Sequence, residues 1–331
     1  MPVAADARWA AVAAVAAAVA VDDVEEAEMK ANQIKRILGI FALTSAASLA
    51  ALPAMASGIK SFPTADAAME AFEAALLDDD EAAQRALFGP AYRDVIPPRG
   101  DEVRYRFIEG WARNHRIEPD GERKAHIAVG NKGWTLPVPL VRTAAGWQFD
   151  MKAGEQEMQV RRIGRNELAA VQVLLAYVDA QNEYRQKDRN GDGIPEYARQ
   201  IRSSPGKQDG LYWATPPGAE PSPLGALFAA AEADSRARAG GLFHGYRYRI
   251  LTAQGPAAAG GARDYVAEGR MTGGFAMLAW PGQWGQTGIT SFIVNQDGEV
   301  FEANLGPDTA RAAARIREYN PAEPWQRTTA R

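Results

Sequence analysis

The stretch from Arg165 to Lys187 constrains the fold more than any other part of the chain. Leu168, Val171, Leu175 and Val178 recur with a 3.6-residue period and give a helix one continuous apolar face. At ~1.5 Å per residue the helix would run roughly 33 Å. It ends in the loop DRNGDGIPEY. Turn-rich segments follow, including SSPGKQDGLYW and TPPGAEPSP, and then a short helix near Leu224 to Arg238. Four strands are predicted next: Tyr246 to Thr252, Phe275 to Trp280, Thr290 to Asn295 and Glu299 to Asn304. Asn295-Gln296-Asp297-Gly298 joins the last two as a hairpin, because Gly tolerates positive φ. In the first strand Tyr246, Tyr248 and Ile250 share one face and Arg247 and Arg249 the other. A Gly-rich connection from Gly255 to Gly274 and a tail helix from Asp308 to Tyr319 complete this unit, which spans residues 160–320.

A separate unit precedes it over residues 62–150. Thr64 is positioned to cap a helix starting at Ala65, with Asp66 in its first turn. Met69, Phe72 and Leu76 make its apolar stripe. The acidic run Asp78 to Glu81 reads as a solvated turn, and a second short helix carries Ala82, Leu87 and Phe88 to Gly89-Pro90. Beyond Gly100 the pattern becomes strand-like, with segments at Lys124 to Val129, Gly133 to Val141 and Gly146 to Asp150. Helices followed by antiparallel strands, in both units, give an α+β class. The order in the first unit resembles the cone-like fold of the nuclear-transport-factor-two and SnoaL-like superfamily.

Met29 to Ala56 has the three parts of a secretory signal peptide. Lys30, Lys35 and Arg36 come first, then the apolar run Ile37 to Pro53, then the small-x-small end Ala54-Met55-Ala56. Residues 1–28 carry an Ala/Val run followed by acidic residues, the wrong charge order for export. The preferred reading is translation from Met29, and the alternative is a genuine Ala-rich extension. The apolar run of about 17 residues sits at the lower edge for spanning a bilayer, so an uncleaved anchor is the minor reading. Cleavage after Ala56 leaves residues 57–331, 275 in all. The expected compartment is periplasmic or extracellular.

Composition removes several function classes. A net charge of −4 suggests no phosphate-backbone partner, so no nucleic acid is expected. The absence of cysteine rules out disulfides, thiolate metal sites and Cys nucleophiles. The three histidines, His115, His126 and His244, lack the spacing of a zinc site. His244 reads as a packed or hydrogen-bonded residue leading into a strand. Ser203 to Gly210 lacks the Gly and Ser/Thr positions of a phosphate loop and reads as a surface turn rather than a Ser–Lys pair. Trp213 and Trp284 are the more exposed aromatic pair expected. The basic stretch Arg104, Arg106, Arg113, Arg116 and Arg123 reads as a solvated face.

The words RRIGRNELAAVQVLLAYVDAQNEY, DRNGDGIPEYA, SSPGKQDGLYW, HGYRYRILTAQGPAA, GGFAMLAWP, TGITSFIVNQDGEVFEANLG and WTLPVPLVRTAAGWQFD closely resemble an uncharacterised bacterial exported family, number 2950 among the domains of unknown function. The resemblance covers almost all of residues 62–320. It implies export and two-part architecture, and it supplies no catalytic residues. A fainter likeness joins the long helix, GYRYRIL and TGITSFIVNQDGEV to the heads of type IV pilin-like proteins. Arg161, Arg162 and Arg165 stand where pilins carry their membrane half, which speaks against pilus assembly.

The sharpest chemical motif is Asp188-Arg189-Asn190-Gly191-Asp192-Gly193-Ile194-Pro195-Glu196. Oxygen side chains at its first, third and fifth positions, Gly at the sixth and a carbonyl from Ile194 at the seventh match what Ca²⁺ requires. Arg199 at the twelfth position departs from the EF-hand, so Glu196 is the further candidate ligand. The alternative is an Asx-rich turn that merely ends the helix. The sequence therefore predicts a non-catalytic periplasmic binding or assembly module with a structural calcium loop, its partner an envelope protein or polymer. Membrane contact would come only through an uncleaved leader. The alternative function is an exported hydrolase of an envelope polymer, working through carboxylates such as Asp188, Asp192 or Asp209.

Overall fold

The computed structural model describes residues 58–216, 218–225 and 242–328. The leader predicted at 29–56, the first 28 residues and all but the first two residues of the helix predicted near Leu224 to Arg238 lie outside these. The described residues divide into two compact units, one ending at Arg161 and the other beginning at Arg162. Both combine helices with antiparallel sheet, which establishes the α+β class. Among the described residues no helix is long and apolar enough to cross a membrane.

In the first unit, Thr64 caps α1 (Ala65–Leu77) by accepting from Ala67 N at 3.0 Å. The acidic run is not a free turn. Asp80 caps α2 (Glu81–Phe88) through Ala82 N and Ala83 N. Asp79 pairs with Arg104 at 2.6 Å. After a 3₁₀ turn and the single helical turn α3 (Tyr92–Val95), the chain forms α4 (Glu102–Arg113), capped by Asp101. This helix replaces the non-helical reading beyond Gly100. Arg104, assigned to a solvated face, is 4% exposed. Its guanidinium donates to the carbonyls of Leu76 and Pro97, so it closes the C-terminus of α1, where positive charge is favoured.

The sheet of this unit contains β1 (His115–Pro119), β2 (Lys124–Val129), β3 (Trp134–Thr135), β4 (Leu140–Thr143) and β5 (Gly146–Phe149). Its order is β1-β2-β4-β5, with β3 added to β2. The predicted strand Gly133 to Val141 is therefore two short strands. Phe72, Phe88, Trp111 and Phe149 fill the core, with Phe72 meeting Phe88 edge-on at 5.8 Å.

The long helix, α5 (Met151–Tyr184), has 34 residues. It begins 14 residues earlier than the apolar face suggested, because the Asp150 carboxylate accepts from Ala153 N and starts it directly after β5. In the second unit its buried residues include Ala170, Val171, Leu174, Tyr177, Val178 and Tyr184. Leu168 and Leu175, predicted on that face, are half-buried beside them.

The second unit's main sheet is built from β6 (Tyr246–Leu251), β11 (Ala276–Pro281), β12 (Ser291–Asn295), β13 (Phe301–Ala303) and β14 (Gln326–Arg327), in the order β14-β13-β12-β11-β6. The pairings are antiparallel, with Ala279 opposite Tyr248 and Phe292. Every residue of β12 is buried, so the strand lies in the middle of the core. The Gly-rich connection holds two small ladders: β7 (Ala253–Gln254) with β8 (Arg263–Asp264), and β9 (Val266–Ala267) with β10 (Arg270–Met271). The tail helix α6 is shorter than predicted, Thr309–Arg315, and Arg249 donates to the Ala313 and Ile316 carbonyls at its end.

Candidate functional site

The loop Asp188 to Glu196 begins just beyond the end of α5, and both of its flanks are fixed. Before it, buried Gln181 accepts from Ala198 N and donates to Ala198 O, each at 2.8 Å. After it, Tyr197 N donates to Met271 O at 2.8 Å, so β10 runs alongside. Arg199 also donates to the Gly269 carbonyl at 2.9 Å. The loop is thus strung between a buried glutamine of the helix and the β9–β10 hairpin.

All five candidate positions lie on this one turn. Asp188 Oδ1 accepts from Asn190 N at 3.2 Å and Gly191 N at 2.8 Å, and its Oδ2 accepts from Gly193 N at 2.7 Å. Asn190 Oδ1 accepts from Asp192 N, and Asp192 Oδ1 from Ile194 N. Asn190 Nδ2 donates to both Asp192 Oδ2 and Glu196 Oε1 at 3.1 Å, which draws two carboxylates onto one nitrogen. Gly191 and Gly193 adopt φ of +78° and +81°, which lets the backbone curl so tightly. Arg270 Nε reaches Asp192 Oδ2 at 2.8 Å from β10.

The electrostatics follow from these contacts. Backbone donation, first from Gly193 and then from Gly191 and Asn190, holds the Asp188 carboxyl below its usual value. Arg270, seconded by the Ile194 amide, does the same for Asp192. Glu183 near the end of α5 is pushed up by burial. The donor set is hard oxygen, as a divalent alkaline-earth ion prefers. Among the described residues, no three His, Cys, Asp or Glu side chains form a metal-holding group of their own. A cation here would need Asn190 and the Ile194 carbonyl as well as the three carboxylates. Sequence reasoning missed Gln181, Arg270 and Glu183. Only the loop itself carried a local signal: Arg270 comes from 78 residues away, and Gln181 and Glu183 lie on α5, where their roles show only once the helix packs.

Other candidates stand apart from the loop. Asp209 Oδ1 accepts from Ser204 N at 2.7 Å, and Gly210 N donates to Ser203 Oγ at 3.0 Å, closing that segment as a turn. Burial raises Asp209, but the Ser204 amide and hydroxyl and Gln200 outweigh it and leave its carboxyl below the usual value. His115 stacks on Trp111 at 4.3 Å, and His126 faces Asp120 at 3.4 Å. His244 lies against Phe243 at 4.2 Å, just ahead of β6. Trp213 and Trp284 are both half-buried. The Arg189 guanidinium lies 5.0 Å from the Trp213 ring, and Trp284 donates to Asn304 at 3.0 Å.

No curated protein and no solved structure matches this chain. A family-wide sequence pattern does match, over residues 59–328, and so takes in both units, the loop and the sheet. The chain belongs to the family described as "Protein of unknown function (DUF2950)".

Proposed function

We propose that this chain is exported and serves in the cell envelope as a non-catalytic binding or assembly module, with Ca²⁺ as a structural ion in the loop Asp188 to Glu196. The observation that carries this reading is the convergence of the loop. Asp188, Asn190, Asp192, Ile194 and Glu196 share one tight turn that follows the long helix and lies beside the β9–β10 hairpin. Bound there, Ca²⁺ would supply a positive centre to which oxygen ligands converge. The chain's own part is to present those oxygens. Asp188 is ionised and oriented by three backbone amides, Asn190 draws Asp192 and Glu196 together, and Gln181 and Arg270 fix the loop's two sides.

The hydrolase alternative needs a carboxyl group tuned upward to donate a proton near neutral pH. Asp188, Asp192 and Asp209, the carboxylates put forward for that role, are all held below their usual values. None of these three is tuned to be the proton donor that the alternative needs. Export rests on the order of charge, apolar run and small residues in Met29 to Ala56.

Cell fractionation with intact-mass measurement tests the proposal. The expected product starts at Ser57 and is recovered with the periplasmic or secreted fraction, where affinity capture returns an envelope protein or polymer. A full-length species confined to the cytosol would refute it.

A further inference from the structure

We propose that Asn190 is a site of spontaneous covalent modification, in which the backbone nitrogen of Gly191 displaces the side-chain amide. This inference concerns one peptide unit and does not depend on a cation in the loop. Asn190-Gly191 is the only Asn-Gly pair in the sequence, and the other asparagines precede Gln, His, Lys, Glu, Leu or Pro. Glycine has no Cβ to shield its nitrogen from the preceding side chain. Both residues are exposed.

The loop adds a specific arrangement to this local chemistry. The nucleophilic nitrogen, Gly191 N, donates to Asp188 Oδ1 at 2.8 Å, so the proton that must leave is already hydrogen-bonded to an acceptor oxygen. The carbon under attack is Asn190 Cγ, whose oxygen accepts from Asp192 N at 3.1 Å. That donor polarises the amide and favours the oxyanion that forms on attack. The bond from Gly191 N to Asn190 Cγ forms as the proton passes to Asp188. The Cγ–Nδ2 bond then breaks, and the nitrogen leaves as ammonia, taking that proton back through water. Water opens the cyclic imide to an aspartyl or isoaspartyl residue. One water is consumed and one ammonia released, with no change of oxidation state.

The product differs from the parent where it matters to the loop. Nδ2 is the donor that joins Asp192 to Glu196. A carboxylate in its place removes both hydrogen bonds and sets a third negative charge against two others, so the loop loosens with age.

The test is peptide mapping by mass spectrometry of the full chain, held with a chelator at mildly alkaline pH. Asn190→Gln and Asp188→Asn variants and urea-unfolded wild type are followed in parallel. The expected result is an amide-to-acid mass gain at residue 190 ahead of every other asparagine, absent in Asn190→Gln. Asp188→Asn should slow it by about a hundredfold, the low end for a positioned proton acceptor. The unfolded chain, which keeps the dipeptide but loses the loop, should also react more slowly than the folded one. No conversion at Asn190, an unchanged rate in Asp188→Asn, or an unfolded chain that reacts as fast would overturn the proposal.

Discussion

Glu167 shows what a single side chain contributes here. It is 3% exposed on α5 and accepts from Ile289 N at 2.9 Å and Thr290 N at 3.1 Å, with Thr290 Oγ1 at 3.2 Å. Its neighbour Asn166 donates to Thr287 O at 2.9 Å, so two adjacent residues tie the helix to the segment leading into β12. Glu167→Ala would leave these backbone donors without an acceptor, at about 1–3 kcal/mol for each buried group. Thermal or urea unfolding should therefore show a loss of about 2–4 kcal/mol. Glu167→Gln keeps one acceptor oxygen and should cost less than half of that. Equal stability of Glu167→Ala and the parent would mean that water or another donor set serves these amides. Nothing in the local pattern RNEL announces this role, because its partners lie more than a hundred residues away.

At the level of elements, most of what recurs in sequence reappears in the structure. The strands at Lys124–Val129 and Tyr246–Leu251 follow from alternation, and Ser291–Asn295 from a short apolar run closed by the turn after it. The caps at Thr64 and Asp80 are local chemistry, although only Thr64 could be assigned in advance. What stayed hidden was long-range. Arg104 looks like a surface cation until Asp79 and the Leu76 carbonyl are brought to it. The first turns of α5 carry no clean apolar stripe, and their helix is fixed by Asp150 and by close packing on Val138 between β3 and β4. Gly154 makes this concrete. A Cβ there would lie 2.6 Å from Val138 Cγ2. Gly154→Ala gains about 1 kcal/mol of helix propensity but overpacks the contact by about 1–3 kcal/mol. We expect a net loss of about 1 kcal/mol in chemical denaturation, whereas a gain would show that Val138 moves aside freely.

For the whole molecule, the sequence made the α+β class and the family visible, and the family match extends over nearly all the described residues. The candidate site was legible only as one loop, because the nine residues Asp188 to Glu196 hold their ligand candidates in local order. The surrounding support, from Gln181 on one side and Arg270 on the other, emerges only after folding. A structural ion in this loop would raise stability as well as bind. An ion that binds only the folded chain adds about 1.4 kcal/mol at a tenfold excess over its Kd, and exposed extracellular calcium modules have Kd values of about 0.1–1 mM.

The most direct measurement is calorimetric titration of Ca²⁺ into the chain from Ser57 onward, paired with its melting temperature. Saturable heat and a higher Tm are expected at millimolar ion, both lost in an Asp188→Asn, Asp192→Asn double variant that still folds. No heat and no change in Tm at that concentration would contradict a structural ion in the loop.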